Sequence, residues 1–147
     1  MRKIDFIVVH CTATAPTVKH QTILNGWRAK GWDKNGYHWL IDDDGLAARL
    51  QDDEIVSNGV FGHNNNSINV CYIGGILNGK ATDTRTEAQK GTLRVILEDY
   101  KKKYPKAKIL GHRDFSPDKN KNGVIESFEW IKVCPCFDAK AEYKDIK

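Results

Sequence analysis

Residues 4–10 read Ile4-Asp5-Phe6-Ile7-Val8-Val9-His10, and the fold turns on how they are read. Ile4, Phe6, Ile7, Val8 and Val9 leave almost no polar face, the pattern of a strand covered on both sides within a partly parallel sheet. His10 closes the strand, and Cys11-Thr12-Ala13-Thr14-Ala15-Pro16 follows as a turn of small residues. A helix is expected over residues 17–30, burying Ile23, Leu24 and Trp27 with His20 on the same side, and Gly31 ends it. A strand over 37–41, the turn Asp42-Asp43-Asp44-Gly45 and a return over 46–50 make a hairpin. Residues 52–67 are polar and include the turn-rich loop Gly62-His63-Asn64-Asn65-Asn66-Ser67. Residues 68–73 form a further strand ending at Gly74-Gly75. The longest helix is expected over 85–104, with Thr84 and Glu87 as its capping box. Leu93, Ile96, Leu97, Tyr100 and Tyr104 would be its buried face, and Pro105 its stop. A short strand over 107–110 then delivers Gly111-His112-Arg113-Asp114. Alternating strands and helices imply one α/β domain over 1–147, a central mixed, partly parallel sheet flanked by helices.

The composition bounds the function. A chain of 147 residues with 40% hydrophobic content can bury a sizeable core. Its net charge of +4 is too small to indicate nucleic acid, and Lys101-Lys102-Lys103 reads as a solvated helix end. No run approaches the roughly 18 apolar residues of a membrane span, so no membrane insertion is expected. The start, Met1-Arg2-Lys3, is basic like a signal peptide, but Asp5 breaks the apolar run that follows. That fits a protein held in the cytoplasm, and equally a secreted one whose leader has been trimmed. A monomer is expected. Cys11, Cys71, Cys134 and Cys136 could make two disulfides, but a domain this large folds without them.

His10 and His112 stand at strand ends, and Cys134 lies in Lys132-Val133-Cys134-Pro135-Cys136. Two imidazoles and a thiolate suit Zn²⁺ and leave a fourth position for water. Satisfied core histidines and inert buried thiols are the alternative reading of the same residues.

Six segments together resemble a family: Val9-His10-Cys11-Thr12-Ala13-Thr14, Gly36-Tyr37-His38-Trp39, Asn66-Ser67-Ile68-Asn69-Val70, Gly74-Gly75, Gly111-His112-Arg113-Asp114 and Lys132-Val133-Cys134-Pro135. In order and spacing they resemble the zinc-dependent N-acetylmuramoyl-L-alanine amidases of the peptidoglycan-recognition type, particularly the small phage enzymes. The resemblance implies zinc bound by His10, His112 and Cys134, with Tyr37 and Lys132 as catalytic residues. It also implies peptidoglycan as the partner and a groove on one face of the sheet. Cys134 rather than Cys136 matches the family ligand; Cys136 is left as a neutral neighbour, a supporting thiol or a fourth ligand that would close the site. Cys11 and Cys71 are read as buried free thiols. His63 and Asn64, in the loop beside the expected groove, are candidates for substrate contact, with plain loop polarity the alternative for His63. His38 is assigned to packing, and Arg113 and Asp114 to orienting the site. The rival readings are a peptidoglycan-binding module without turnover and a regulator that binds another protein.

Between Asp114 and Lys132 the chain departs from the short connection of the small phage enzymes. Asp118, Asn120, Asn122, Val124, Glu126 and Glu129 occupy the ligand positions of a twelve-residue calcium loop, with Gly123 at its sharp turn. A structural Ca²⁺ site over 118–129 is therefore expected, against the alternative of a polar surface turn. Phe115-Ser116-Pro117 rules out an incoming helix, so a paired EF-hand is not expected.

Overall fold

The computed structural model describes residues 2–147; Met1, part of the basic start, lies outside the described residues. In chain order the elements are β1 (Phe6–Cys11), α1 (His20–Ala29), β2 (Trp39–Ile41), β3 (Ala47–Arg49), β4 (Ser67–Tyr72), β5 (Ile76–Leu77), β6 (Lys80–Ala81), α2 (Glu87–Lys103), β7 (Lys108–Gly111) and α3 (Ala139–Glu142). Five strands form one mixed sheet in the order β3-β2-β4-β1-β7, and β5 and β6 make a separate hairpin. β1 lies between β4 and β7 and is parallel to both, as its unbroken apolar run predicts. β2 is parallel to β4, and β3 returns antiparallel to β2.

Strand alternation separates two faces. Ile7, Val9 and Cys11 of β1 and Ile68, Val70 and Tyr72 of β4 join Leu93, Leu97 and Tyr100 of α2 in the main core. Leu40, Cys71 and Ile73 pack on the opposite face with Val18, Ile23 and Tyr37. His10 and Asn69 therefore share this second face. Phe137, Ala139 and Tyr143 complete the main core. Arg85 anchors that C-terminal segment, paired with Asp83 and Glu142 and stacked 3.4 Å from the Phe137 ring. The anchor returns residues 134–136 to the sheet, where Tyr72 Oη donates to the Pro135 carbonyl at 2.5 Å and Arg113 N–H to the Cys134 carbonyl at 2.9 Å.

Several expected boundaries move. α1 starts at His20 rather than residue 17: a turn in which the Val18 N–H donates to the Ala15 carbonyl at 3.3 Å occupies the residues before it. α2 starts at Glu87, and its capping box is Thr86 with Gln89 rather than Thr84 with Glu87. Thr84 Oγ1 instead accepts the Gly75 N–H at 2.9 Å. Among the described residues, no helix is long and apolar enough to cross a membrane.

Candidate metal centre and groove

His10 is carried by β1, beside Cys71 of β4 in the parallel register. His112 opens the tight turn His112–Phe115 directly after β7. Two glycines let the elements close in. A Cβ on Gly111 would stand 2.8 Å from Pro135 Cδ, and one on Gly59 would stand 2.2 Å from Asn69 Cγ. The outcome is convergence: one ligand atom each from His10, His112 and Cys134 lies within 4.8 Å of the others. Tetrahedral bonds of about 2.0–2.3 Å place ligands roughly 3.5 Å apart, so these three need only small adjustment around one ion.

The hydrogen bonds fit a metal at this point. Asn69 Oδ1 accepts from His10 Nε2 at 2.8 Å, which puts the ring hydrogen on Nε2. His10 Nδ1 is buried and has no hydrogen-bond partner, leaving a lone pair for a cation. The arrangement continues outward. Asn69 Nδ2 donates to Ser57 Oγ at 2.7 Å, and Ser57 Oγ in turn donates to His38 Nδ1 at 3.2 Å. The Asn69 N–H also reaches His38 Nδ1, while His38 Nε2 donates to the Ile55 carbonyl at 2.8 Å. Burial lowers the pKa of His10 to about 4 and of His112 to about 3, with the Lys132 charge adding to both. Both rings are thus neutral at neutral pH, the form that binds metal. The Cys11 N–H donates to Cys134 Sγ at 3.1 Å, which holds that sulfur against the end of β1.

Cys11, Cys71 and Cys136 stay protonated. Cys11 is pushed up to about 12, its hydrogen bond to Cys134 being the largest cause. Burial raises Cys71, and the contact with Cys11 raises Cys136. All four cysteines are free, with Cys11 and Cys71 buried. Cys136 is turned toward Cys11 Sγ at 3.9 Å and the Gly75 carbonyl at 3.6 Å, outside the ligand cluster.

A groove of about 530 Å³ runs past His112 and Lys132, bounded by Trp32, Phe61, Asn64 and Phe115. A smaller recess of about 220 Å³ shares His112 and Lys132 and adds Tyr37 and Cys134. The Tyr37 ring lies 4.9 Å from that of His10, and burial raises its pKa well above 10, keeping the hydroxyl protonated.

Some expected roles are relocated. Asn64 lines the groove, whereas His63 packs against Phe6 and Phe115, with ring centroids 6.0 and 4.7 Å away. His38 does more than pack, since it ends the relay from His10. Arg113 and Asp114 act on the surroundings of His112: Asp114 Oδ2 accepts the Gly111 N–H at 2.8 Å, and Arg113 covers the Trp130 ring at 4.0 Å. In the sequence Asn69 shows as a polar residue inside an apolar strand, within one of the matched segments, whereas Ser57, in the polar stretch 52–67, carries no functional signal of its own. The stretch from Asp118 to Glu129, with Asn120, Asn122, Val124 and Glu126, forms a separate loop. Among the described residues, the carboxylates of Asp118, Glu126 and Glu129 do not gather within 4.8 Å of one another; the acidic group that does is Asp42, Asp43 and Asp44, where Asp42 Oδ1 accepts N–H groups of its own hairpin turn.

Residues 1–123 match the N-acetylmuramoyl-L-alanine amidase family, and the chain belongs to that family. It is 35% identical over 139 residues to an endolysin of Escherichia phage T7, covering 92% of this chain and 83% of that protein. The fold matches the N-acetylmuramoyl-L-alanine amidase LysC from Clostridium intestinale with a TM-score of 0.74 and 20% identity, over 99% of this chain and 88% of the other. It also matches bumblebee PGRP-SA, with a TM-score of 0.70 and 17% identity over 99% and 83% of the two chains. These two likenesses establish the fold alone, so the chemistry has to be argued from the site.

Proposed function

We propose that this chain hydrolyses the amide bond between N-acetylmuramic acid and L-alanine in bacterial peptidoglycan, with Zn²⁺ held by His10, His112 and Cys134. The observation that carries the reading is the convergence of these three ligands beside a groove that also presents Lys132 and Tyr37. In a shell of this kind zinc supplies Lewis acidity and activates water near neutral pH. The chain's own residues do the rest. The relay from His38 through Ser57 and Asn69 fixes which nitrogen of His10 is a ligand. Lys132 supplies a cation for the charge that develops on the amide oxygen. Tyr37 holds its proton at neutral pH and donates a hydrogen bond to the reacting amide. Water adds to the carbonyl carbon and the C–N bond breaks. The carboxylate remains on the muramoyl sugar, and the peptide leaves with a free L-alanine amino group. The endolysin relatives support a role in lysis of the bacterial wall.

Digestion of purified peptidoglycan with mass analysis of the released ends tests this reading. Peptides with a free L-alanine amino terminus are expected, lost on chelation, restored by zinc, and absent for Cys134→Ser. Release of reducing sugar alone would indicate a glycosidase. Retained binding to peptidoglycan with no release, in protein shown to hold zinc, would indicate a module that only recognises the wall.

A further inference from the structure

We propose that residues 118–129 form a Ca²⁺ site that tethers the segment carrying Lys132 and Cys134. The loop stands between the turn that bears His112 and those two residues, and amide hydrolysis gives it no task of its own. Side-chain oxygens fall at its first, third, fifth, ninth and twelfth positions (Asp118, Asn120, Asn122, Glu126 and Glu129). Glycine stands sixth and the Val124 carbonyl seventh, the ligand order of a calcium loop.

The structure adds an observation independent of that spacing. Gly123, at φ +83°, turns the chain so that its N–H donates to Asp118 Oδ2 at 2.7 Å. The Asp118 carboxylate therefore faces across the loop. Its second oxygen, Oδ1, is closed off from solvent and has no hydrogen-bond partner. A buried carboxylate oxygen left this way is costly until a cation or donor meets it. From the other end of the loop, Glu129 is fully buried. Its Oε1 accepts the Glu126 N–H at 2.8 Å, and its Oε2 accepts the N–H of Lys119 beside Asp118. The first and twelfth positions thus approach each other. Among the described residues, no Lys or Arg forms an ion pair with Asp118, Glu126 or Glu129. Three carboxylates share one loop without a cationic partner. An all-oxygen donor set on a pliant loop suits Ca²⁺ rather than Zn²⁺, and it lacks the rigid octahedron Mg²⁺ demands.

The loop's neck leads directly to the groove. Ile131 N–H donates to Ser116 Oγ at 3.0 Å, Trp130 lies under Arg113, and Lys132 follows at once. A cation that holds Glu129 thereby holds the chain three residues before Lys132. This coupling rests on the amidase reading; cation binding itself does not.

The test uses the full chain in calcium-free buffer with one zinc per molecule, titrated with calcium chloride by calorimetry and followed by thermal melting. One calcium per chain is expected, with a Kd of about 10⁻⁴–10⁻³ M, as for lone extracellular modules. The melting temperature should rise by about 5 °C at roughly a hundredfold excess over Kd, and by less with magnesium chloride. Asp118→Asn and Glu129→Gln keep shape and remove charge. Each should weaken binding at least about tenfold, with zinc content and circular dichroism unchanged. Should Glu129→Gln fail to fold, Asp118→Asn decides, since that residue is only half-buried. Absence of both heat and a melting shift up to about 10 mM calcium, well above that range, would overturn the site. So would undiminished binding by Asp118→Asn. Neither readout needs peptidoglycan, so their failure leaves the amidase reading standing, and failure of hydrolysis leaves them intact. Peptide release should rise over the same calcium range; binding with an unchanged rate would overturn the tether to Lys132.

Discussion

His10 is useful to a metal because Asn69 settles where its hydrogen sits. Removing that acceptor frees the ring to take the other tautomer and leaves Ser57 without its donor. Asn69→Ala should therefore weaken zinc binding about 10–100-fold, measured by competition with a chromogenic chelator. Asn69→Asp, which keeps an acceptor oxygen, should lose less. Unchanged affinity in the alanine variant would remove Asn69 from the site. Lys132 differs because it is exposed and belongs to the groove wall rather than to the ligand shell. Lys132→Ala should retain zinc and sediment with peptidoglycan as the parent does, while peptide release falls about 10²–10³-fold, the usual loss for one donor to a developing oxyanion. A fall of only a few-fold would assign that charge to another group.

At the level of elements, the N-terminus of α2 couples local and long-range forces. Thr86 Oγ1 accepts the Gln89 N–H at 3.0 Å and donates to the Asp43 carbonyl at 2.8 Å. Gln89 in turn is buried and donates to the Ile41 and Ile73 carbonyls, tying the helix to the ends of β2 and β4. Thr86→Ala should cost about 1–2 kcal/mol and lower the melting temperature by roughly 2–8 °C in a thermal scan. No shift would mean the cap is carried by Gln89 alone. The same helix shows what a sequence can and cannot reveal. Its apolar face repeats over about three turns, from Leu93 to Tyr104, so its existence is legible. Its start is not, because Thr84-x-x-Glu87 and Thr86-x-x-Gln89 both satisfy the capping pattern, and contacts with Gly75 and Asp43 choose between them. β1 and β4 are legible because burial on both faces leaves continuous apolar runs. The two-residue strands β5 and β6 and the four-residue α3 are too short to have a period. At the site, His10, His112 and Cys134 stand out as ligand types at strand ends and turns. The relay through Asn69, Ser57 and His38 does not, since it depends on β1 and β4 being parallel in one register, and a sequence does not display register between distant strands.

Across the whole molecule, buried polar groups set the response to acid: in zinc-free protein the depressed His10 and His112 take part, and outside the ligand cluster His38 and Asp53 do. His38 is held near a pKa of about 4 by burial, the nearby Arg2 and Arg49 lowering it further while the Ile55 carbonyl and Asp53 oppose them. Its unfolded value is about 6.5. Between these values the unfolded chain holds the extra proton, so stability falls as pH drops from about 6.5 toward 4. Asp53 acts lower on the scale. Burial works to raise its pKa, but hydrogen bonds from Lys103 and Tyr100 and the charges of Lys103 and Arg49 prevail and hold it below the usual carboxylate value. Its contribution is complete above the unfolded carboxylate pKa of about 3.9 and is lost as pH falls through the folded one. Because Tyr100 also accepts from Trp39 Nε1 at 2.7 Å, this carboxylate joins the loop after β3 to α2 and the sheet. Asp53→Asn should cost about 2 kcal/mol at neutral pH, and the deficit should shrink in strong acid. His38→Asn keeps an acceptor near the position of Nδ1 but cannot titrate. In zinc-free protein its unfolding free energy should vary less steeply between pH 6.5 and 4, by up to about 1.4 kcal/mol per pH unit, one proton's worth. Denaturant titrations from neutral pH down into strong acid, below the folded Asp53 value, measure both effects. A slope as steep as the parent's in His38→Asn would assign the proton uptake to other groups and remove His38 as the sensor.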